Sequence, residues 1–339
     1  MQDERGANWV DIAKGLGIIF VVLGHNLRGL FSSGVIEKSG FFFYLESIIY
    51  SFHMPLFFFL SGLFVQASFA KLGTSKLITS KIDTLIYPYI IWSLLQGLIE
   101  VVMSNYTNGN PVSLSEVFNL FVPRAQFWFL FALFLFFCTT SLMSKKNKFH
   151  TFIILLIFSL IYILSPRNTN LLYLNYFINF YVFFIFGYFW NQIFGYSKII
   201  YKPHILSIVL ISFIVLQYCF YLDHSYFDEY GLASLLISFV GIVLVLLFSQ
   251  FLMLTNLNSL FGFLGSASLV IYLAHILPGS GVRIILDKFF GIETSFVHIF
   301  IGVFFAIFFP SVLYLLTLRY KFFKYLFRSN FFNKRRAKS

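Results

Sequence analysis

The first apolar stretch of the chain reads WVDIAKGLGIIFVVLGHNLR, from Trp9 to Arg28. An α-helix needs about 20 residues to cross about 30 Å of hydrocarbon, so this stretch is long enough to span a bilayer. Similar runs follow it along the whole chain. They are continuous rather than alternating in hydrophobicity, which favours helices over the strands of a membrane barrel. The sequence therefore predicts an all-α, polytopic integral membrane protein.

The composition agrees with this prediction. The chain of 339 residues is 59% hydrophobic and 11% charged, whereas a soluble domain has about 25% charged residues. The low charge excludes an ordinary soluble domain, and the apolar content excludes a disordered chain. Cys138 and Cys219 lie within apolar runs, so no disulfide framework is implied. No signal peptide is expected, because the first run follows charged residues and has no small-residue cleavage site.

We predict about ten membrane-spanning helices. Their approximate bounds are 9–30, 43–66, 82–104, 125–143, 149–165, 171–193, 203–222, 231–254, 260–278 and 295–318. With the N-terminus inside, 17 of the Lys and Arg residues lie in segments on the inner side of the membrane and 5 lie in loops on the outer side. This excess predicts that both termini are cytoplasmic. We expect a single domain over residues 1–339, with a basic tail from about 319 that contacts anionic lipid rather than nucleic acid.

Four ionisable residues share one face of the first helix. Lys14 and His25 are eleven positions apart, about 1100° of helical rotation and about 16 Å of rise. Asp11 precedes Lys14 by three residues, and Arg28 follows His25 by three. Such a face indicates that the helix lines a cavity. The alternative is that this polar face only packs against other helices. Three glycines in the run would let a helix or ligand approach closely: Gly15, Gly17 and Gly24.

Two histidines are candidates for chemistry. His25 is the stronger, because a neutral imidazole accepts a proton from an alcohol and returns it. His53 lies in the run SFHMPLFFFLSG (51–62), where Pro55 is predicted to open the helix. Glu46, seven residues before His53, would orient or neutralise it. In the alternative, the helix is kinked and serves only in packing, and the ring of His53 forms hydrogen bonds with backbone carbonyls that the kink leaves without a partner.

Later polar residues are weaker candidates. Trp128 follows Arg124 at a predicted outer boundary and would first be an interface anchor. Tyr272 and His275 are three residues apart and would meet, either as helix contacts or as ligand contacts. The seven histidines show no compact zinc spacing, and no metal is predicted. Neither a phosphate-binding loop nor a Gly-x-Ser-x-Gly elbow is present.

These residues resemble the membrane acyltransferase-3 family, which includes bacterial O-antigen and exopolysaccharide O-acetyltransferases. The two specific blocks are Trp9-x-Asp11-Ile-Ala-Lys14-Gly15 followed by His25, and Phe52 to Gly62. Weaker blocks continue in the family's order over nearly the whole chain: Tyr87-Pro88-Tyr89, Phe127-Trp128-Phe129-Leu130, Phe186-Gly187-Tyr188 and Ser268-x-x-x-Tyr272-x-x-His275. One departure is Asp83, which stands near a position where many relatives carry Arg.

The resemblance implies a multi-pass enzyme of the bacterial inner membrane. It would move an acetyl group from cytoplasmic acetyl-CoA to a hydroxyl of a cell-surface or lipid-linked polysaccharide sugar, without a metal. We assign catalysis to His25, Asp11 and His53, and binding of CoA to Lys14 and Lys81. We assign contacts with the acceptor to a wider set: Arg28, Glu46, Trp128, Tyr272 and His275.

Other functions stay open at this point. A transporter or flippase of a lipid-linked sugar has the same composition, but would release its substrate unmodified. A structural subunit of a polysaccharide-export complex would use the polar residues only for assembly. A succinyl-transferring relative is a variant of the enzyme. No extracellular domain is expected after the last span, so the enzyme would be a stand-alone form.

Overall fold

The computed structural model describes residues 8–104, 112–142, 147–165, 169–195, 201–224, 226–227 and 231–329. These residues form helices and turns, with no strand among them, so the predicted all-α class is confirmed. The α-helices are α1 (Trp9–Ser33), α2 (Gly40–Tyr50), α3 (His53–Leu63), α4 (Val65–Lys81), α5 (Tyr87–Val102), α6 (Leu114–Phe118), α7 (Trp128–Leu142), α8 (Lys148–Leu164), α9 (Leu172–Phe194), α10 (Pro203–Asp223), α11 (Leu232–Met253), α12 (Asn258–Ala274), α13 (Ile276–Ile284), α14 (Ser295–Arg319) and α15 (Lys321–Lys324). Short π-helical segments cover Ile82–Ile86 and Ile285–Phe289, and a 3₁₀ turn covers Ala125–Phe127.

The described residues contain eight helices that are long and apolar enough to cross a membrane. The number rises to nine if α12 and the helix Ile276–Phe289, which are bent by 63° relative to each other, are counted as one broken span. The count differs from the predicted ten at the fifth span, since α8 has only 17 residues. Seventeen residues rise about 26 Å, less than the thickness of the hydrocarbon core. The chain is a multi-pass membrane protein.

The chain divides into two compact units. The first takes in residues 1–21, 44–74 and 136–266, and the second takes in residues 22–43, 75–135 and 267–339. Each unit is described by itself below.

In the first unit, the backbones of α3 and α9 touch directly. A Cβ atom at Gly62 would collide with the carbonyl of Phe184, and one at Gly187 would collide with the carbonyl of Phe59. Membrane helices gain van der Waals contact where small residues permit such an approach. Aromatic rings pack around this contact: Phe58, Phe136, Phe177, Tyr181 and Phe184. The predicted small-residue contact at Gly62 is confirmed.

The helix break beside His53 occurs at the end of α2, earlier than predicted. Pro55 is the third residue of α3, in the first turn, where a missing N–H group is tolerated. The break itself lies at Ser51, whose carbonyl accepts a 2.6 Å hydrogen bond from Ser238. Its hydroxyl accepts a 2.9 Å bond from Gln217. Polar groups freed by the break are thus bonded internally, as an apolar environment requires.

Helix α1 also packs through glycine in the first unit. A Cβ atom at Gly15 would collide with the carbonyl of Phe261 in α12, and one at Gly265 would collide with the carbonyl of Asp11. The close approach expected at Gly15 is therefore made by a neighbouring helix. This contact places the first turns of α1 against α12.

In the second unit, residues 327–329 of the basic tail pack against the fold. The buried carboxylate of Asp83 accepts hydrogen bonds from Arg328 Nε at 2.8 Å and from the backbone N–H of Ser329 at 3.0 Å. The ring of Phe327 is buried and lies 5.4 Å from that of Trp92. Phe327 and Arg328 are therefore packed, whereas Arg319, Lys321 and Lys324 of the same tail are exposed. Residues 330–339 lie outside the described residues.

We predict that Gly187→Ala lowers the free energy of unfolding by about 1–3 kcal/mol, because the added methyl group has to displace the backbone of α3. The measurement is thermal unfolding of the purified protein in detergent. Gly281→Ala is the matched control, since no atom lies within 4 Å of a Cβ atom at that position. Equal midpoints for Gly187→Ala and the wild type would contradict the direct helix contact.

Candidate active site

A small pocket lies in the second unit. Helix α1 forms one wall with its residues after Val21, and α13 and α14 form the others. The polar groups of the wall come from five residues: His25, Asn26, His275, Ser280 and Arg283. The pocket therefore contains the histidine that the sequence singled out, together with groups that the sequence did not connect to it.

Two histidines meet at this pocket although they are 250 residues apart in the chain. Nδ1 of His25 lies 3.2 Å from Nε2 of His275, and the ring centroids are 5.0 Å apart. His275 follows the last residue of α12 and is buried, whereas His25 is half-buried on α1. The structure thus brings His25 and His275 together at one pocket.

The hydrogen bonds fix the tautomer of both rings. Nδ1 of His275 lies 3.0 Å from the carbonyl of Ile271 and 2.9 Å from that of Tyr272. Carbonyl oxygens only accept, so this nitrogen carries the proton and Nε2 of a neutral His275 is an acceptor. His25 must then donate from Nδ1. Its own Nε2 is left as the acceptor nitrogen, which is the form that a general base requires.

Sequence reasoning missed three polar residues of the pocket: Asn26, Ser280 and Arg283. Arg283 was expected in an outer loop between two spans, but it lies inside α13. A signal was available, because His275, Gly279 and Arg283 are spaced four apart and therefore lie along one side of a helix. The basic side chain had been used only as an indicator of topology.

Asp11 and Lys14 lie in the first unit, on the same unbroken helix as His25. The ammonium of Lys14 lies 3.3 Å from the carboxylate of Asp11, as the three-residue spacing predicted. Each side chain is about one-third exposed: 33% for Lys14 and 30% for Asp11. A cation that is partly accessible and held by one carboxylate is available to a polyanionic ligand. Its role in binding CoA stays a prediction.

His53 and Glu46 are buried in the first unit and bonded there. Nδ1 of His53 donates to the carbonyl of Ile49 at 2.8 Å, which is the arrangement that the packing alternative describes. The carboxylate of Glu46 accepts a 2.6 Å hydrogen bond from Tyr226. A catalytic role for His53 and a substrate contact for Glu46 stay predictions.

The remaining predicted site residues have various locations in the second unit. The hydroxyl of Tyr272 donates to the backbone carbonyl of Gln126, so this group is used in helix packing. Trp128 is the first residue of α7, Lys81 is the last of α4, and Arg28 is exposed on α1. None of these four lines the pocket. Their roles in binding stay predictions.

The fold and the pocket define a polytopic membrane protein with a histidine pair suited to acid–base chemistry. Residues 7–315 match the sequence model of the acyltransferase-3 family, which is described as an acyltransferase domain. The match covers nearly the whole chain, and the protein belongs to this family.

A curated relative supports the assignment. Over 140 residues the chain is 29% identical to nodulation protein NolL of Sinorhizobium fredii (strain NBRC 101917 / NGR234). The aligned stretch covers 40% of this chain and 36% of NolL, so it spans little more than a third of that relative's length. No solved structure matches the chain.

We predict that His25 is in the Nδ1–H tautomer and that His275→Phe removes this preference, because the acceptor for the Nδ1 proton is lost. The measurement is the ¹⁵N chemical shift of the ring nitrogens in protein labelled on histidine, with the His25 signals assigned from His25→Ala. His204→Ala, at an exposed position on α10, is the control and should leave the His25 signals in place. An Nε2–H tautomer in the wild type would contradict the pairing.

Proposed function

We propose that the protein transfers an acetyl group from acetyl-CoA to a hydroxyl of a cell-surface or lipid-linked polysaccharide sugar, in the inner membrane of a bacterium. The observation that carries this proposal is the hydrogen bond from His25 to His275 at the wall of the pocket. Family membership supplies the reaction class. The acyl group and the acceptor follow from the resemblance to O-antigen and exopolysaccharide O-acetyltransferases.

Acyl transfer to an alcohol needs a base, and His25 is suited to this task. Its Nε2 would remove the proton as the sugar oxygen attacks the thioester carbonyl, and would return that proton to the departing thiolate. His275 would act as a positioning residue, because its bond to Nδ1 fixes the ring and stabilises the imidazolium that forms. The same arrangement serves the histidine of a serine-protease triad, where a carboxylate takes the place of His275.

Lys14 is proposed to bind the nucleotide end of the donor. CoA is polyanionic, and Lys14 presents a partly exposed cation beside Asp11. Lys14 and His25 lie eleven residues apart on α1, a rise of about 16 Å. The pantetheine arm of CoA likewise separates its phosphates from its thioester. Lys81 is a weaker candidate for the same role.

Two alternatives to acetyl transfer to a sugar are a succinyl donor and a flippase. A succinyl donor would use the same base and the same nucleotide contacts. A flippase would need neither an acyl donor nor a base. The experiments below therefore identify the transferred group directly, instead of measuring only whether the surface polysaccharide is made.

We expect His25→Ala to abolish acetylation of the surface polysaccharide. A general base accelerates a reaction about 10²–10⁴-fold, so the residual transfer should fall below detection. The measurement is mass spectrometry and NMR of the polysaccharide from cells that carry the variant or a deletion of the gene. NMR also identifies the acyl group and its position on the sugar.

His204→Ala is the matched control for this experiment, because it removes an exposed histidine of the first unit. The variant proteins must be present in the membrane in equal amounts. Wild-type acetylation in His25→Ala would show that His25 is not the base. A deletion strain that keeps every acyl group would overturn the enzyme proposal as a whole.

We further expect Lys14→Met to raise KM for acetyl-CoA about tenfold, since one charged contact contributes about 1.5–3 kcal/mol at most and solvent screening reduces it. Lys14→Arg should restore most of the affinity, and added salt should weaken the wild type more than Lys14→Met. The measurement is the initial rate of CoA release in proteoliposomes that contain the native acceptor. Lys202→Met, at an exposed position before α10, is the control. An unchanged KM in Lys14→Met would exclude the contact.

A further inference from the structure

Two buried polar atoms at the wall of the pocket have no hydrogen-bond partner among the described residues. They are Nε of Arg283 and Oδ1 of Asn26. A buried donor or acceptor without a partner costs free energy. The carboxylate of Asp287 acts electrostatically on Arg283, but it is not among the described residues that line the pocket. A ligand with electron-rich oxygen would complement this wall.

Glycines hold both side chains in place. A Cβ atom at Gly29 would collide with Nη1 of Arg283, so the guanidinium rests on the backbone of α1. A Cβ atom at Gly302 in α14 would collide with Nδ2 of Asn26. The two polar groups are thus fitted against helix backbones. They are not long side chains that extend loosely into an opening.

The guanidinium is placed close to the proposed base. Gly29 follows His25 by four residues, which is one turn of α1 and a rise of about 6 Å. Asn26 is the neighbour of His25. The base, a neutral amide and a fixed cation therefore line one pocket in the second unit.

We propose that Arg283 is a further catalytic residue, which binds the carbonyl oxygen of the acyl group and stabilises the oxyanion that forms on it. Asn26 Oδ1 would accept a hydrogen bond from a neighbouring hydroxyl of the sugar. This inference rests on the proposed acyl transfer and deepens it, because it names the group that activates the donor. The sequence match to the family does not by itself assign this role.

The proposed reaction begins with the attack of the sugar oxygen on the acyl carbonyl. The sugar oxygen forms a bond to the carbonyl carbon, its proton moves to Nε2 of His25, and the carbonyl π electrons move to the oxygen that Arg283 binds. The oxyanion then collapses, the C–S bond breaks, and the thiolate takes the proton from His25. The products are the O-acyl sugar and CoA with a free thiol. Donors aimed at such an oxygen contribute most in the transition state.

We expect Arg283→Gln to lower kcat about 10²–10³-fold, the loss typical of one removed oxyanion donor, with KM for acetyl-CoA within about twofold of the wild type. Arg283→Lys keeps the charge and should recover part of the rate. Gly29→Ala leaves Arg283 in the chain but displaces its guanidinium, so it should also lower kcat. Gly281→Ala adds a methyl group to α13 in open space and should leave kcat unchanged. The assay is the transfer of labelled acetyl from acetyl-CoA, in proteoliposomes, to surface polysaccharide from the deletion strain.

A second readout does not depend on turnover. Acetyl-CoA with ¹³C at the carbonyl is bound to full-length His25→Ala and to His25→Ala/Arg283→Gln, and the carbonyl stretch is recorded by isotope-edited infrared spectroscopy. Polarisation by Arg283 should give a lower frequency in the first protein than in the second. A variant that has merely lost its packing would not produce this difference with donor still bound.

The outcomes separate the inference from the proposed function. Equal kcat, or equal carbonyl frequencies, with and without Arg283 would overturn the inference while leaving the base in place. A raised KM for the polysaccharide with an unchanged kcat would also overturn it, and would show that Arg283 binds a fixed anion on the acceptor. If the wild type transfers no acetyl group, the proposed function itself fails.

Discussion

The hydrogen bond between His275 and His25 depends on a bend in the chain. Helices α12 and α13 meet at His275 with a change of direction of 63°, and the ring of His275 donates to the carbonyls of Ile271 and Tyr272 on the α12 side. The carbonyl of Ile271 also accepts the backbone N–H of His275, so the ring N–H adds a further hydrogen bond at the bend. The same bond leaves Nε2 of His275 as an acceptor and thereby sets the tautomer of His25. His275 thus serves both the fold, through its hydrogen bonds at the bend, and the proposed chemistry, because it sets the tautomer of His25.

Several polar groups elsewhere in the fold are bonded internally, as an apolar environment requires. The break at Ser51 is bonded by Ser238 and Gln217, and Asp83 is bonded by the segment that follows α15. Close helix contacts are left to glycine, which brings no polar side chain. At the pocket, Arg283 Nε and Asn26 Oδ1 are buried among the described residues without a hydrogen-bond partner. Other buried side-chain atoms of the described residues share this property, among them Oε1 of Gln217. The pocket is distinguished by the histidine pair that lies beside its two unpartnered atoms.

Much of the fold could be predicted from the sequence because it depends on local properties. The length and continuity of apolar runs located the spans in their correct order, and the helical period placed Asp11 beside Lys14. The pairing of His25 with His275 could not be predicted, because helical periodicity says nothing about which helices meet. The bend between α12 and α13 could not be predicted for a related reason: the apolar window ends near Pro278, so the sequence predicts a loop where the rest of α13 lies. Arg283 was lost with it, since a cation near a span end is usually a topological signal.

The proposed reaction places two positive charges at the pocket: the permanent charge of Arg283 and the charge that would form on His25. In the proposed reaction, an imidazolium formed at His25 would be repelled by a nearby guanidinium, and this repulsion is strong where water is excluded. The guanidinium of Arg283 rests against Gly29, whose backbone lies one helical turn, a rise of about 6 Å, from that of His25. A tetrahedral centre between the two side chains would carry its negative oxygen towards Arg283 and its attacking oxygen towards His25, so the substrate itself would separate the two cations. The helical repeat of α1 separates Gly29 from His25, and the close packing at Gly29 holds the guanidinium beside that glycine.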